Sequence, residues 1–89
     1  MLYYAWNETR EKEYWGVGDS PKEIIQKLVD LYNANYYYCY DTYTVERFIE
    51  EYPDGYVATI ELNEAFDTDC NKPSEKSKEV KTWEEIWYE

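Results

Sequence analysis

"EYWGVGDSPKEIIQKLVDLY", residues 13–32, decides the fold, because a strand pattern gives way to a helix pattern inside it. "EYWGV" is aromatic and β-branched, which suits a pleated, half-buried surface. Gly16 and Gly18 are expected to break that strand. Ser20 then stands as an N-cap, Pro21 occupies the first helical position, and Glu23 completes a capping box. Ile24, Ile25, Leu28, Leu31 and Tyr32 follow at helical spacing and leave Lys22, Gln26, Lys27 and Asp30 on the outside. Asn33 and Asn35 end the helix.

Upstream, "LYYAW" (2–6) alternates large rings with a small residue, and the polar "NETREK" (7–12) reads as the loop of a hairpin. Downstream, "YYYCY" (36–40) reads as a strand with Tyr36, Tyr38 and Tyr40 on one face and Tyr37 and Cys39 on the other. A short second helix follows, capped by Thr42 or Thr44, with Val45, Phe48, Ile49 and Tyr52 as its apolar stripe. "YPDG" (52–55) is a turn in which Pro53 sets φ and Gly55 permits a positive one. "YVATIEL" (56–62) alternates as a strand, with Ala58, Ile60 and Leu62 on one face and Val57, Thr59 and Glu61 on the other.

Residues 63–77 lose all periodicity and read as a long polar loop anchored at Phe66. The tail "EVKTWEEIWYE" (79–89) has two readings. Thr82 with Glu85 resembles a capping box for a short helix holding Trp83, Ile86 and Trp87, whereas "EVKTW" is also a strand start. The expected architecture is a single α+β domain over residues 1–89. It is a small antiparallel sheet, β-β-α-β-α-β plus a C-terminal element, with two helices packed on it.

Eighty-nine residues, 44% of them hydrophobic, supply one modest core. No run is apolar enough to cross a bilayer, and "MLYYAWNETR" lacks the basic start and apolar stretch of a signal peptide, so the expected location is cytoplasmic. Cys39 and Cys70 share no C-x-x-C spacing. In a reducing cytosol Cys39 reads as a small buried hydrophobe and Cys70 as a loop residue.

The absence of histidine removes the commonest general base and metal ligand, and no nucleophile elbow or phosphate-binding glycine loop is present. Asp67, Asp69 and Asn71 match the first ligand positions of a calcium loop, but Lys72 stands at the turn glycine and Lys78 at the bidentate glutamate. No enzyme, cofactor or metal centre is therefore expected.

Net charge is the strongest global signal. Twenty acids against nine bases give −11. Residues 41–70 hold nine acids (Asp41, Glu46, Glu50, Glu51, Asp54, Glu61, Glu64, Asp67, Asp69) against Arg47 alone. Solubility alone does not require that concentration. Such a charge repels nucleic acid and anionic membrane and attracts basic protein surfaces. A compact domain of this length spans roughly 30 Å, over which duplex DNA carries about 18 charges. The eight excess negative charges of residues 41–70 are of the order that one side of such a duplex presents.

Size, acidity, aromatic content and the segment "VERFIEEYPDGY" (45–56) resemble the small phage and mobile-element inhibitors of host defence, the anti-CRISPR and anti-restriction proteins. That resemblance implies occupation of the basic nucleic-acid groove of a defence nuclease by DNA mimicry. The contacts expected to carry such binding are Tyr43, Glu46, Glu50, Glu51, Asp54, Asp67 and Asp69. Separately, the hairpin followed by "GVGDSPKEIIQKL" (16–28) looks like the start of HicB-type antitoxin domains. An antitoxin-like or assembly protein with a basic partner is the alternative implied, and the oligomeric state is not legible.

Overall fold

The computed structural model describes residues 1–35, 42–63 and 80–89. In chain order the elements are β1 (Leu2–Glu8), β2 (Glu13–Gly18), α1 (Pro21–Asn35), α2 (Val45–Glu51), β3 (Tyr56–Ile60), β4 (Val80–Thr82) and α3 (Trp83–Trp87). The strand expected over 36–40, together with Phe66, Asp67, Asp69, Cys39 and Cys70, lies outside the described residues.

The four strands form one antiparallel sheet in the order β2-β1-β3-β4. β1 is central and pairs Trp6 with Trp15 of β2 on one side and with Tyr56 of β3 on the other. This is the expected α+β class, with three helices among the described residues in place of two. Both readings of the tail hold in succession. Val80–Thr82 adds a short edge strand, and Thr82 then caps α3 in a full capping box with Glu85.

Period-two alternation divides the sheet into two faces. On one face Ala5, Tyr14 and Val57 meet Ile25, Leu28, Val29 and Tyr32 of α1, Val45, Phe48 and Ile49 of α2, and Trp83 and Ile86 of α3. Tyr32 and Phe48 share the centre of the ring contacts, and Tyr32 lies 5.1 Å from Phe48 and 5.2 Å from Tyr43, both edge-on. Edge-on pairs place the positive rim of one ring against the negative face of the next. On the other face Tyr4, Trp6, Tyr56, Ala58 and Ile60 form a second buried cluster drawn entirely from β1 and β3.

Three local expectations need correction. Leu31 is half exposed, and Val29 is fully buried in its stead. At about 100° per residue, Leu31 lies just outside the arc from Ile24 to Val29, so the helix is rolled toward Val29. β2 ends at Gly18 as expected, but Gly16 does not break it and lies within it. A Cβ on Gly16 would stand 2.9 Å from Ile24 Cγ2, so the missing side chain lets α1 approach the sheet.

Gly55 likewise has no positive φ. A Cβ there would fall 2.6 Å from Asn7 Nδ2 and 2.9 Å from Trp83 Cγ. Asn7 is fully buried, donating to the Tyr52 carbonyl (3.0 Å) and accepting from the Glu8 amide (2.8 Å). Gly55→Ala must therefore push against two immobile buried side chains. The expected loss is about 1–3 kcal/mol, read as a lower urea midpoint at unchanged m.

Among the described residues, two buried polar atoms of the second face, Trp6 Nε1 and Tyr56 Oη, have no partner. Tyr56→Phe deletes one of them and is expected to stabilise the domain by up to about 1 kcal/mol. The tyrosines also set an alkaline limit. Burial, reinforced by the Glu13 carboxylate, pushes Tyr4 up to about 12. Burial raises Tyr32 further, helped by its hydroxyl contact with Tyr52, and burial raises Tyr56 beside Tyr4 and Glu13.

Below the unperturbed value of 10.0 these phenols are neutral in both folded and unfolded chains. Above it the unfolded chain ionises first, so stability falls as pH rises through that value and on past about 12. Urea midpoints measured at several alkaline pH values should decline over that window, and less steeply in Tyr56→Phe.

Candidate partner-binding surface

α2 is short because both ends are fixed. Thr44, in an extended conformation, accepts the Arg47 amide on its side chain, and the Tyr52 amide closes on the Phe48 carbonyl. Pro53 follows and cannot continue the helix. With Val45, Phe48 and Ile49 turned into the core, Glu46, Arg47, Glu50 and Glu51 are left in solvent. Glu46 and Glu50 are separated by one helical turn, about 6 Å along the axis.

α3 brings a third carboxylate to them. Trp83, its first residue, is buried and stacks on Phe48 of α2 with ring centres 5.6 Å apart. Its indole Nε1 donates to the Tyr56 carbonyl (3.1 Å), and its amide donates to the Gly55 carbonyl (3.1 Å). So anchored, α3 directs Trp87 Nε1 to Glu46 Oε2 (3.2 Å). Between the two helices lies a groove of about 440 Å³ lined by Glu46, Ile49, Glu50, Pro53, Glu84 and Tyr88. Its apolar floor and three exposed carboxylates suit an arginine or lysine side chain, whose stem needs apolar cover and whose head needs anions.

Tyr43 and Glu51 belong to a separate cluster. The Tyr43 hydroxyl donates to the Glu51 carboxylate, and the Arg47 guanidinium lies over the Tyr43 ring at 4.4 Å. That hydrogen bond to an anion, with burial second, raises the Tyr43 phenol above its ordinary range. The Tyr43 backbone is clasped by Asn33, which accepts its amide (2.8 Å) and donates to its carbonyl (2.9 Å). Tyr43 thus ties the entry of α2 to the end of α1, and its ring is half-buried against the core.

Of the seven expected residues, the structure brings Glu46 and Glu50 into one groove and Tyr43 and Glu51 into a neighbouring cluster. Asp54 lies exposed in the turn between α2 and β3. Asp67 and Asp69 are outside the described residues. Glu84, Trp87 and Tyr88 were not expected there, since contacts distant in sequence, the packing of Trp83 on Phe48 and its hydrogen bonds to Gly55 and Tyr56, bring the two helices side by side. Among the described residues no group of three acidic or cysteine side chains could hold a metal ion, and no helix is long and apolar enough to cross a membrane. No protein-family model, curated protein or solved structure matches this chain.

Proposed function

We propose that this chain is a non-enzymatic acidic inhibitor of the phage anti-defence type. On this reading it occupies the basic nucleic-acid groove of a host defence nuclease by standing in for DNA. The supporting observation is the convergence of Glu46 and Glu50 from α2 with Glu84 from α3 on one exposed groove, in a chain of net charge −11. Arginines that grip phosphates pair equally well with rigidly held carboxylates. The core behind α2 and α3 fixes the backbone positions from which these carboxylates project. Trp87 further restricts Glu46.

The affinity of such an inhibitor is largely electrostatic, so association should be fast at low salt and fall steeply as salt rises. The test is capture from a bacterial lysate at low and high salt, followed by mass spectrometry and a cleavage assay. A nuclease that is retained only at low salt, and whose DNA cleavage stops at a one-to-one ratio with this chain, supports the reading. Capture of a small toxin, or of nothing, overturns it.

A further inference from the structure

A second cleft, of about 400 Å³, opens on the helix-bearing face of the sheet and has a different chemistry. Its walls are Tyr3 of β1, Val57 and Thr59 of β3, Lys22 of α1, Lys81 of β4 and Ile86 of α3. The strand register accounts for this grouping. Tyr3 lies directly across from Thr59, and Val57 lies across from Lys81, so all four share one face. Lys81 carries its ammonium to Glu89 at the rim of the cleft.

Two of the chain's nine cationic residues therefore meet over an apolar floor, beside the Thr59 hydroxyl. They already hold an anion. Lys81 Nζ donates to Glu89 Oε1 at 2.9 Å, and Lys22 Nζ donates to the Glu89 main-chain oxygen at 3.3 Å. The Glu89 carboxyl is accordingly held below its usual range, chiefly by the Lys81 hydrogen bond. Both members of the Lys81–Glu89 pair are substantially solvent-exposed, and pairs of that kind are weak and readily exchanged.

We propose that this cleft is a binding site for a small organic carboxylate, with its anionic head on Lys22 and Lys81 and a compact apolar body on Val57, Ile86 and the Tyr3 ring. Glu89 occupies the head position in the absence of that ligand and competes with it. Clefts of this size with an apolar lining and a few convergent polar groups suit ligands of about that class. Charge-assisted hydrogen bonds select the carboxylate over a neutral amide.

Phenylacetate serves as the probe, titrated into the full chain at low salt while the backbone amides are followed by NMR. Saturable shifts at Tyr3, Thr59 and Ile86 are expected. Glu89→Gln should tighten binding by up to about fivefold by removing the side-chain carboxylate that competes for Lys81, and Lys22→Met with Lys81→Met should weaken it at least about tenfold. If the double variant does not fold, Lys22→Gln alone, at an exposed first-turn position, should still weaken binding severalfold.

Absence of saturable shifts in both the parent chain and Glu89→Gln would overturn the proposal. So would binding that is indifferent to the lysine substitutions. Equal affinity for inorganic phosphate would remove the role of the apolar floor, and tighter binding of phenyl phosphate would displace carboxylate as the ligand class.

Discussion

Trp83→Ala is expected to cost about 3–5 kcal/mol, the range for deleting a large buried aromatic side chain. The indole is almost wholly enclosed and stacks on Phe48, and its removal leaves a void between α2, α3 and β3. It also strips the Tyr56 carbonyl of the Nε1 donor it has at 3.1 Å. A domain of this size has a total stability of roughly 4–13 kcal/mol, so the variant should be substantially unfolded at the lower end of that range. Trp83→Phe keeps much of the stacking and loses only the indole donor, so it should fall about midway between Trp83→Ala and the parent. Urea unfolding followed by circular dichroism reads both variants. A loss below about 1 kcal/mol for Trp83→Ala would contradict the enclosed position of the ring, since core aromatic truncations do not come so cheaply.

The dependence on Trp83 also shows how far sequence reasoning reaches in this chain. Signals confined to one turn of helix or one strand were legible. Pro21 opens α1, Thr44 caps α2, and Thr82 with Glu85 caps α3, all as their spacing suggests. Strand alternation likewise placed Val57 and Thr59 opposite Ala58 and Ile60. What local patterns could not convey was the demand made by a distant partner. Gly55 looks like a turn residue but is small because Asn7 and Trp83 fill the space above it. Asn7 looks like part of a polar loop but is a buried bridge to the Tyr52 carbonyl.

The candidate surface divides along the same line. The one-turn spacing of Glu46 and Glu50 was visible because it is a property of a single helix. Glu84 joins them through the stacking of Trp83 on Phe48 and its hydrogen bonds to Gly55 and Tyr56, which no local pattern encodes. Tyr43 stands next to the acidic segment in sequence, and its position suggested a contact residue. Its backbone pairing with Asn33 and its edge contact with Tyr32 show that it also holds α2 against α1. A Tyr43 substitution would therefore mix local unfolding with any loss of contact, and it is a poor first test of binding.

Charge reversal in the groove is the cleaner test. Glu46→Lys, Glu50→Lys and Glu84→Lys together should weaken binding to the nuclease recovered at low salt by at least about 100-fold, because each lost charge-assisted pair becomes a like-charge contact. All three side chains are exposed, so the fold should survive apart from the Trp87 contact to Glu46. Net charge alone would also weaken attraction, and a matched control separates the two effects. Glu8→Lys, Glu23→Lys and Asp30→Lys change the total charge by the same amount at exposed positions on β1 and α1. Distant exposed charges are screened within about 8–10 Å at moderate ionic strength, so the control should lose less than about tenfold. The groove variant should also show a shallower salt dependence than the parent, because fewer close ion pairs remain to be screened. Equal losses in the two triple variants would mean that overall charge, and not the α2–α3 groove, carries the attraction. Undiminished binding in the groove variant would end the DNA-mimic reading, since a stand-in for phosphate cannot tolerate lysine where the phosphate should be.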